Sequence, residues 1–190
     1  MGAILARPEA LAIQPVPWVI RRHPGKDSGV CRKGAQLAAS LSRQHTHALL
    51  IFDHDGCGDR RPPAEIERRI RGELKRHWAD RGEAVVVSPE LELWIWRARA
   101  QIARELGITK SEMLLQLEEG GFLGDGRSKP TPPKDALESL LRAAKRVRSS
   151  AVYGSIVTQA SLRDTPCETD SYPRFVTILR NWFPQLPKDA

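Results

Sequence analysis

A short run of apolar residues that ends in two aspartates constrains this chain more than any other feature. Residues 48–52 read Ala-Leu-Leu-Ile-Phe without a polar interruption, and Asp53, His54, Asp55 and Gly56 follow. An uninterrupted run of this length is typical of a strand buried on both faces of a parallel sheet. Ligands of such sheets bind at the carboxyl ends of the strands, so the sequence predicts a functional site beside the aspartates.

The two aspartates suggest a metal ion. Side chains of an extended strand alternate between two faces, so Asp53 and Asp55 point the same way if the strand continues to the turn. Two carboxylates on one side are typical hard-oxygen ligands for Mg²⁺ or Mn²⁺. The alternative is that Asp55 and Gly56 only open a turn and that Asp53 caps a neighbouring segment, because Asp and Gly are common in turns.

Short apolar runs alternate with longer helical patterns along the chain, which predicts an α/β fold with a short parallel sheet. Strands are expected at residues 16–22, 49–52 and 84–87. A length of 190 residues fits one domain. We expect its core at about residues 16–106, with a helical C-terminal extension over about residues 107–184.

A second group of acidic residues follows the third predicted strand. Ser88, Pro89 and Glu90 have the hydroxyl, the proline and the acid that are typical of a helix N-terminus. Glu92 lies among large apolar residues, where a buried carboxylate needs a partner. A metal ion held by the aspartates is one such partner, so Glu92 is a predicted metal ligand. The alternative is a surface acid beside Trp94 that complements the helix dipole.

The formal net charge of +7 predicts an acidic partner. Residues 60–81 contain eight Lys or Arg against four Asp or Glu, and residues 129–148 contain six against two. Clustered basic residues are typical of nucleic-acid binding, although a basic helix face is often only solvated. Arg60, Arg61 and Lys129 lie in predicted loops, where we expect them to contact the phosphate backbone.

Other classes of protein fit the composition poorly. No stretch approaches the roughly 20 apolar residues that cross a bilayer, and no secretion signal is visible, so we expect a cytoplasmic protein with no membrane partner. Cys31, Cys57 and Cys167 are odd in number and far apart, which argues against a disulfide scaffold. A zinc site built from Cys57, Cys167 and His54 would lack the usual ligand spacing.

The chain resembles the Toprim-like proteins of bacterial defence loci. The features that carry this resemblance are the apolar strand followed by residues 53–56, the next helix, the Val-rich strand and residues 89–94. That group includes catalytic domains of type IA and type II topoisomerases, bacterial primases, a ribosomal-RNA maturase and overcoming-lysogenization-type nucleases. The tail residues 149–153, 162–163 and 181–184 are similar to a small subset of these proteins, a component of a methylation-associated phage-defence system.

This resemblance covers most of residues 16–184 and implies a Toprim-like three-layer sandwich with Mg²⁺ or Mn²⁺ bound at Asp53 and Asp55. Toprim sites also use a glutamate just after the first strand for acid–base chemistry. That strand and its glutamate would precede Met1, so the fold is expected to lack its first strand. Either the true start lies upstream of Met1, or this is a degenerate member that keeps the metal aspartates without the complete catalytic set. Glu9 cannot replace the glutamate because it lies after a helix fragment.

Two functions follow from these expectations. In the first, the protein is a metal-dependent nuclease, and Glu92 is a catalytic residue that adds a ligand or orients a metal-bound water. In the second, it is a non-catalytic scaffold that binds nucleic acid or other defence-system proteins. The missing glutamate favours the scaffold, and the pair of Asp53 and Asp55 favours the enzyme. A different hydrolase that shares only the α/β scaffold is a third alternative.

Overall fold

The computed structural model describes residues 1–124, 130–159 and 171–185. Within these ranges the protein is a mixed α/β structure, rich in helix, with a two-stranded parallel sheet. The predicted mixture of α and β structure with a short parallel sheet is therefore confirmed. None of the described helices is both long and apolar enough to cross a membrane.

The chain forms two compact units, each built from two separate pieces of sequence. The helical unit consists of Met1–Leu11 and Glu92–Pro166, and the sheet unit consists of Ala12–Leu91 and Cys167–Ala190. These boundaries differ from the expected division into a core and a C-terminal extension. The expectation of a single domain stays a prediction.

The sheet unit contains strands β1 (Ala48–Asp53) and β2 (Gly82–Val87). They pair in parallel, with Ala48 opposite Gly82 and Asp53 opposite Val87. The two strands expected near these positions are confirmed. Strand β2 is buried along most of its length, whereas only Phe52 of β1 is fully buried, so the expectation that β1 is buried on both faces was wrong. The parallel pairing brings the carboxyl ends of both strands to the same edge of the sheet.

Helices α3 (Lys26–Ala39) and α4 (Pro63–Trp78) pack against the strands. The apolar residues of α4 recur every fourth position, as the sequence predicts, and all four are buried: Ile66, Ile70, Leu74 and Trp78. Gly82 allows β2 to start directly against this helix, because a Cβ there would lie 2.8 Å from the Cβ of Trp78 and 3.0 Å from that of Leu74. The resulting core joins α3, α4 and one face of the sheet.

The outer edge of β2 is bonded to a buried carboxylate. The Val87 carbonyl accepts the His54 amide at 2.7 Å, so the neighbouring Val86 amide points away from β1. This amide donates to Oε1 of Glu67 at 2.7 Å, and Oε2 of Glu67 pairs with Arg174 of helix α10 (Ser171–Trp182). Glu67 has no exposed surface. One side chain therefore connects α4, β2 and α10.

The strand expected at residues 16–22 is not formed. The chain is irregular there, after Ile13 makes an isolated antiparallel bridge with Pro184. Pro15 and Pro17 remove two amide donors, which disfavours a ladder with a neighbouring strand. The apolar side chains that suggested a strand are exposed to solvent instead.

The helical unit is formed by short helices and tight turns. Its helices are α1 (Gly2–Leu5), α2 (Pro8–Leu11), α5 (Glu92–Ile95), α6 (Arg99–Leu106), α7 (Lys110–Glu119), α8 (Pro133–Ala143) and α9 (Ser150–Gln159).

Side-chain contacts fix the ends of several of these helices. The predicted capping box of α7 is confirmed, since the Thr109 hydroxyl accepts the Glu112 amide at 3.1 Å and the Glu112 carboxylate accepts the Thr109 amide at 2.7 Å. The buried Trp96 indole donates to the Pro133 carbonyl at 2.8 Å. The Trp96 contact thus connects the segment before α6 to the first residue of α8.

Replacing Glu67 should destabilise the protein strongly. Glu67→Ala leaves the Val86 amide without its acceptor, so we expect a loss of about 3 kcal/mol in the free energy of unfolding, measured by urea denaturation. Arg71→Ala is the matched control, because it breaks a half-exposed α4 ion pair with Glu83 at 3.5 Å. That change should cost less than about 1 kcal/mol. Equal losses for the two variants would show that Glu67 has no special role.

Candidate functional site

The carboxyl ends of the parallel strands bring acidic side chains together. Asp53 is the last residue of β1, and Glu90 follows the end of β2 by three residues. One carboxylate oxygen of Asp53 lies within 4.8 Å of one of Glu90, and both residues are half-buried. Oxygens at this spacing can share a divalent cation. This acidic group could therefore hold a metal ion.

Hydrogen bonds position the acidic group. Oδ1 of Asp53 accepts the Leu91 amide at 2.7 Å, and the Asp55 amide donates to the Pro89 carbonyl at 3.0 Å. The Asp53 amide, at the outer edge of β1, donates to Oδ1 of Asp27 on α3 at 3.2 Å. The loop after β2 is thus held against the end of β1 through its own backbone.

The helix expected to start at Ser88 starts later. Residues 88–91 are irregular, and α5 begins at Glu92. The Pro89 carbonyl and the Leu91 amide bond to residues at the end of β1, so they are engaged there rather than in a first helical turn. The prediction of a helix capped by Ser88 was therefore wrong.

Asp55 lies outside the acidic group. Strand β1 ends at Asp53, and the chain turns through Gly56, whose φ is +83°, a value that favours glycine. The alternation of side chains therefore stops before Asp55, which is exposed. Its role as a metal ligand stays a prediction.

The sequence reasoning missed Glu90 as a candidate ligand. A glutamate in the first turn of an expected helix already had an explanation in the helix dipole. Because no helix starts at Ser88 in the structure, the helix dipole does not explain Glu90. The available signal was position alone, because Glu90 follows the carboxyl end of a strand that is parallel to β1.

Glu92 begins the second piece of the helical unit, and it is buried as the sequence predicts. Its Oε1 lies 3.5 Å from Nη2 of Arg148, which also bonds to Glu138 and lies over the ring of Tyr153. The partner that a buried carboxylate requires is thus provided within its own unit by an arginine. The predicted roles of Glu92 as metal ligand and catalytic residue stay predictions.

The predicted phosphate contacts lie in different environments. Arg61 binds Asp59 through two hydrogen bonds of 3.0 Å and 2.6 Å. Arg60 is exposed and makes no ion pair with any residue that the structure describes. Lys129 lies outside the described residues, as do the motif residues 162–163.

A surface cavity of about 310 Å³ lies beside Asp59 and contains two of the three cysteines. Burial and the neighbouring Cys57 thiol raise the pKa of Cys31, whose carbonyl accepts Nη2 of Arg69 at 2.9 Å. The Cys57 thiol donates to the Asp59 carbonyl at 3.3 Å. These contacts are internal and structural, and Cys167 of the conceivable zinc set lies outside the described residues.

No known protein family, curated protein or solved structure matches this chain. The resemblance to Toprim-like proteins therefore depends on the sequence motifs alone. The function must be argued from the geometry of the acidic group and from the exposed surface.

The contact between Arg61 and Asp59 has a measurable pH dependence. Hydrogen bonds and the charge of Arg61 lower the pKa of Asp59 from 3.8 to about 2. Because the pKa is lowered, the stabilisation is present above pH 3.8 and is lost as the pH falls from 3.8 through about 2. A carboxyl carbon NMR titration should give a value of about 2 for Asp59. Arg61→Gln should return it towards 3.8, whereas Arg71→Gln should not, and an ordinary pKa in the wild type would contradict the contact.

Proposed function

We propose that this protein binds Mg²⁺ or Mn²⁺ at Asp53 and Glu90 and cleaves phosphodiester bonds in nucleic acid. The observation that carries the proposal is the convergence of the two carboxylates at the carboxyl end of the parallel strands. Mg²⁺ is usually held by one or two carboxylates, while water and substrate phosphates fill its other positions. The residues present therefore fit this cation.

The neighbouring groups would keep the acidic group in place. A bound cation supplies charge that stabilises the transition state of phosphodiester cleavage. Asp27 holds the backbone of Asp53, and the Leu91 amide orients its carboxylate. Such outer contacts fix the direction of a ligand and support its affinity. Asp55 and Glu92 remain proposed ligands on the sequence pattern alone, because Asp55 lies in an exposed turn and Glu92 pairs with Arg148.

The resemblance to Toprim-like proteins supports nucleic acid as the substrate. It also supports a role in bacterial defence, in the cytoplasm and together with other defence proteins. The parallel strands β1 and β2 with α3 and α4 packed against them are compatible with part of such a fold. A three-layer Toprim-like sandwich belongs to this proposal.

The second candidate function is a scaffold that binds nucleic acid or a partner protein without cleaving it. The contact between Glu92 and Arg148 favours it, because an arginine already compensates the carboxylate that was predicted to add a metal ligand or to orient a metal-bound water. The pairing of Asp53 with Glu90 favours the enzyme instead.

The metal site is tested by calorimetric titration with Mn²⁺ and Mg²⁺. The double variant Asp53→Asn/Glu90→Gln should lower the affinity at least tenfold, because it removes both carboxylate charges. Glu118→Gln/Glu119→Gln is the matched control, since it removes two exposed charges at the end of α7. Equal affinities for wild type and Asp53→Asn/Glu90→Gln would reject the metal site.

A cleavage assay distinguishes the nuclease from the non-catalytic scaffold. Wild-type protein should cleave plasmid DNA or single-stranded RNA with Mg²⁺ or Mn²⁺, and the Asp53→Asn/Glu90→Gln variant should be inactive. Metal binding without cleavage of either substrate would reject the enzyme and support the scaffold. A melting curve for each variant shows whether a loss of activity is only a loss of folding.

A further inference from the structure

We propose that residues 18–37 of the sheet unit form a binding surface for single-stranded nucleic acid, in which Trp18 stacks on a base and Arg21 and Arg22 bind phosphates. We call these residues the Trp18 surface. The inference takes its class of ligand from the proposed function, but it does not require the metal site.

Exposed apolar side chains are concentrated on the Trp18 surface. Six large apolar side chains of the described residues are exposed, and four of them lie between residues 18 and 37. Trp18 is 44% exposed, Val19 62%, Ile20 45% and Leu37 40%. Contiguous exposed apolar groups are typical of interaction sites, because leaving them in water is unfavourable. This part of the chain therefore favours a bound partner.

The same residues carry cations that the protein itself leaves uncompensated. Residues 18–37 contain five Lys or Arg and one acid, Asp27. Asp27 accepts a backbone hydrogen bond from Asp53. Arg21, Arg22 and Lys33 are exposed and form no ion pair with any residue in the described ranges. The charge of this surface thus favours an acidic partner.

Residues 60–81, which the count of basic residues favoured for nucleic-acid binding, differ from the Trp18 surface because several of their arginines pair with carboxylates. Three arginines of residues 60–81 have carboxylate partners, since Arg61 pairs with Asp59, Arg69 with Glu73 and Arg71 with Glu83. Their charge is therefore partly compensated inside the protein. Among the described residues Arg60 is unpaired like Arg21 and Arg22, but the partial compensation of the other arginines favours residues 18–37 for the nucleic-acid contacts.

A cavity continues the surface after Arg22. It has a volume of about 310 Å³ and is lined by His23, Lys33, Gln36, Leu37 and Ser40. The ammonium group of Lys33 is suited to a phosphate. The amide of Gln36 and the apolar side chain of Leu37 are suited to a base.

The turn before α3 is fixed by local contacts. The Gly25 amide donates to Nδ1 of His23 at 3.0 Å, and the His23 ring occupies the space that a side chain at Gly29 would fill. Helix α3 then starts with Lys26 and Asp27, and Asp27 bonds to the backbone of Asp53. The first turn of α3 therefore connects residues 18–37 to the end of β1, where the acidic group lies.

A single strand fits this surface better than a duplex. Stacking on an aromatic side chain requires an unstacked base, and this contact tolerates any base sequence. A protein strand is the competing partner, because the backbone of residues 15–22 makes no hydrogen bond with another described backbone group. The uncompensated arginines favour the nucleic acid, since each nucleotide carries a phosphate charge, whereas a protein strand neutralises arginines only where it is acidic.

The test measures binding of fluorescein-labelled oligothymidylate and oligouridylate by fluorescence anisotropy, with EDTA present so that metal plays no part. Trp18→Ala should weaken binding about tenfold, and Trp18→Phe should restore part of it. Arg21→Ala/Arg22→Ala should weaken binding and reduce the slope of log affinity against log salt by about 1.4. Arg71→Ala/Arg146→Ala is the matched control, because both arginines are ion-paired, and it should change binding much less.

Each outcome of these binding measurements either supports or overturns nucleic-acid binding at the Trp18 surface. Equal losses for Arg21→Ala/Arg22→Ala and Arg71→Ala/Arg146→Ala would show that only total charge matters, and would overturn it. Failure of the wild type to bind either oligonucleotide would also overturn it and favour a protein partner. Metal-dependent cleavage without effects at Trp18 would reject this surface alone, whereas Trp18-dependent binding by Asp53→Asn/Glu90→Gln would support it even if the metal site failed.

Discussion

The buried carboxylate of Glu67 is the contact on which the sheet unit depends most. It accepts an amide at the outer edge of β2 and pairs with Arg174 of α10, so one side chain joins three elements. An edge amide buried without an acceptor is costly, and a sheet of two strands has an outer edge on each strand. A carboxylate supplied by α4 thus allows so small a sheet to be buried under helices.

The outer edge of β1 also donates an amide to a carboxylate, and this strand ends at the candidate site. Asp27 accepts the outward amide of Asp53, and Asp53 in turn accepts the Leu91 amide. The acidic residues here therefore stabilise the backbone as well as offering oxygens to a cation. This double role explains why Asp53 is half-buried, and it places Glu90 beside it through backbone contacts rather than through a helix.

The sequence predicted the elements whose periodicity is strong and local. The stripe from Ile66 to Trp78, the two Val- and Leu-rich strands and the capping box at Thr109 all follow from spacing or short-range hydrogen bonds. Residues 16–22 were mistaken for a strand because apolar composition does not show whether a neighbouring strand exists. Glu90 was missed because its position depends on hydrogen bonds between segments that are distant in sequence, and spacing contains no information about these.

The interleaved construction of the two units has a consequence for synthesis of the protein. Chains emerge from the ribosome amino terminus first, and compact units generally fold as soon as they are complete. The sheet unit is interrupted by Glu92–Pro166 and needs α10, which comes after the whole of that insertion. Until then Glu67 has no Arg174 to pair with. A chain interrupted before α10 therefore contains a carboxylate without its arginine and a strand without the helix that packs on it.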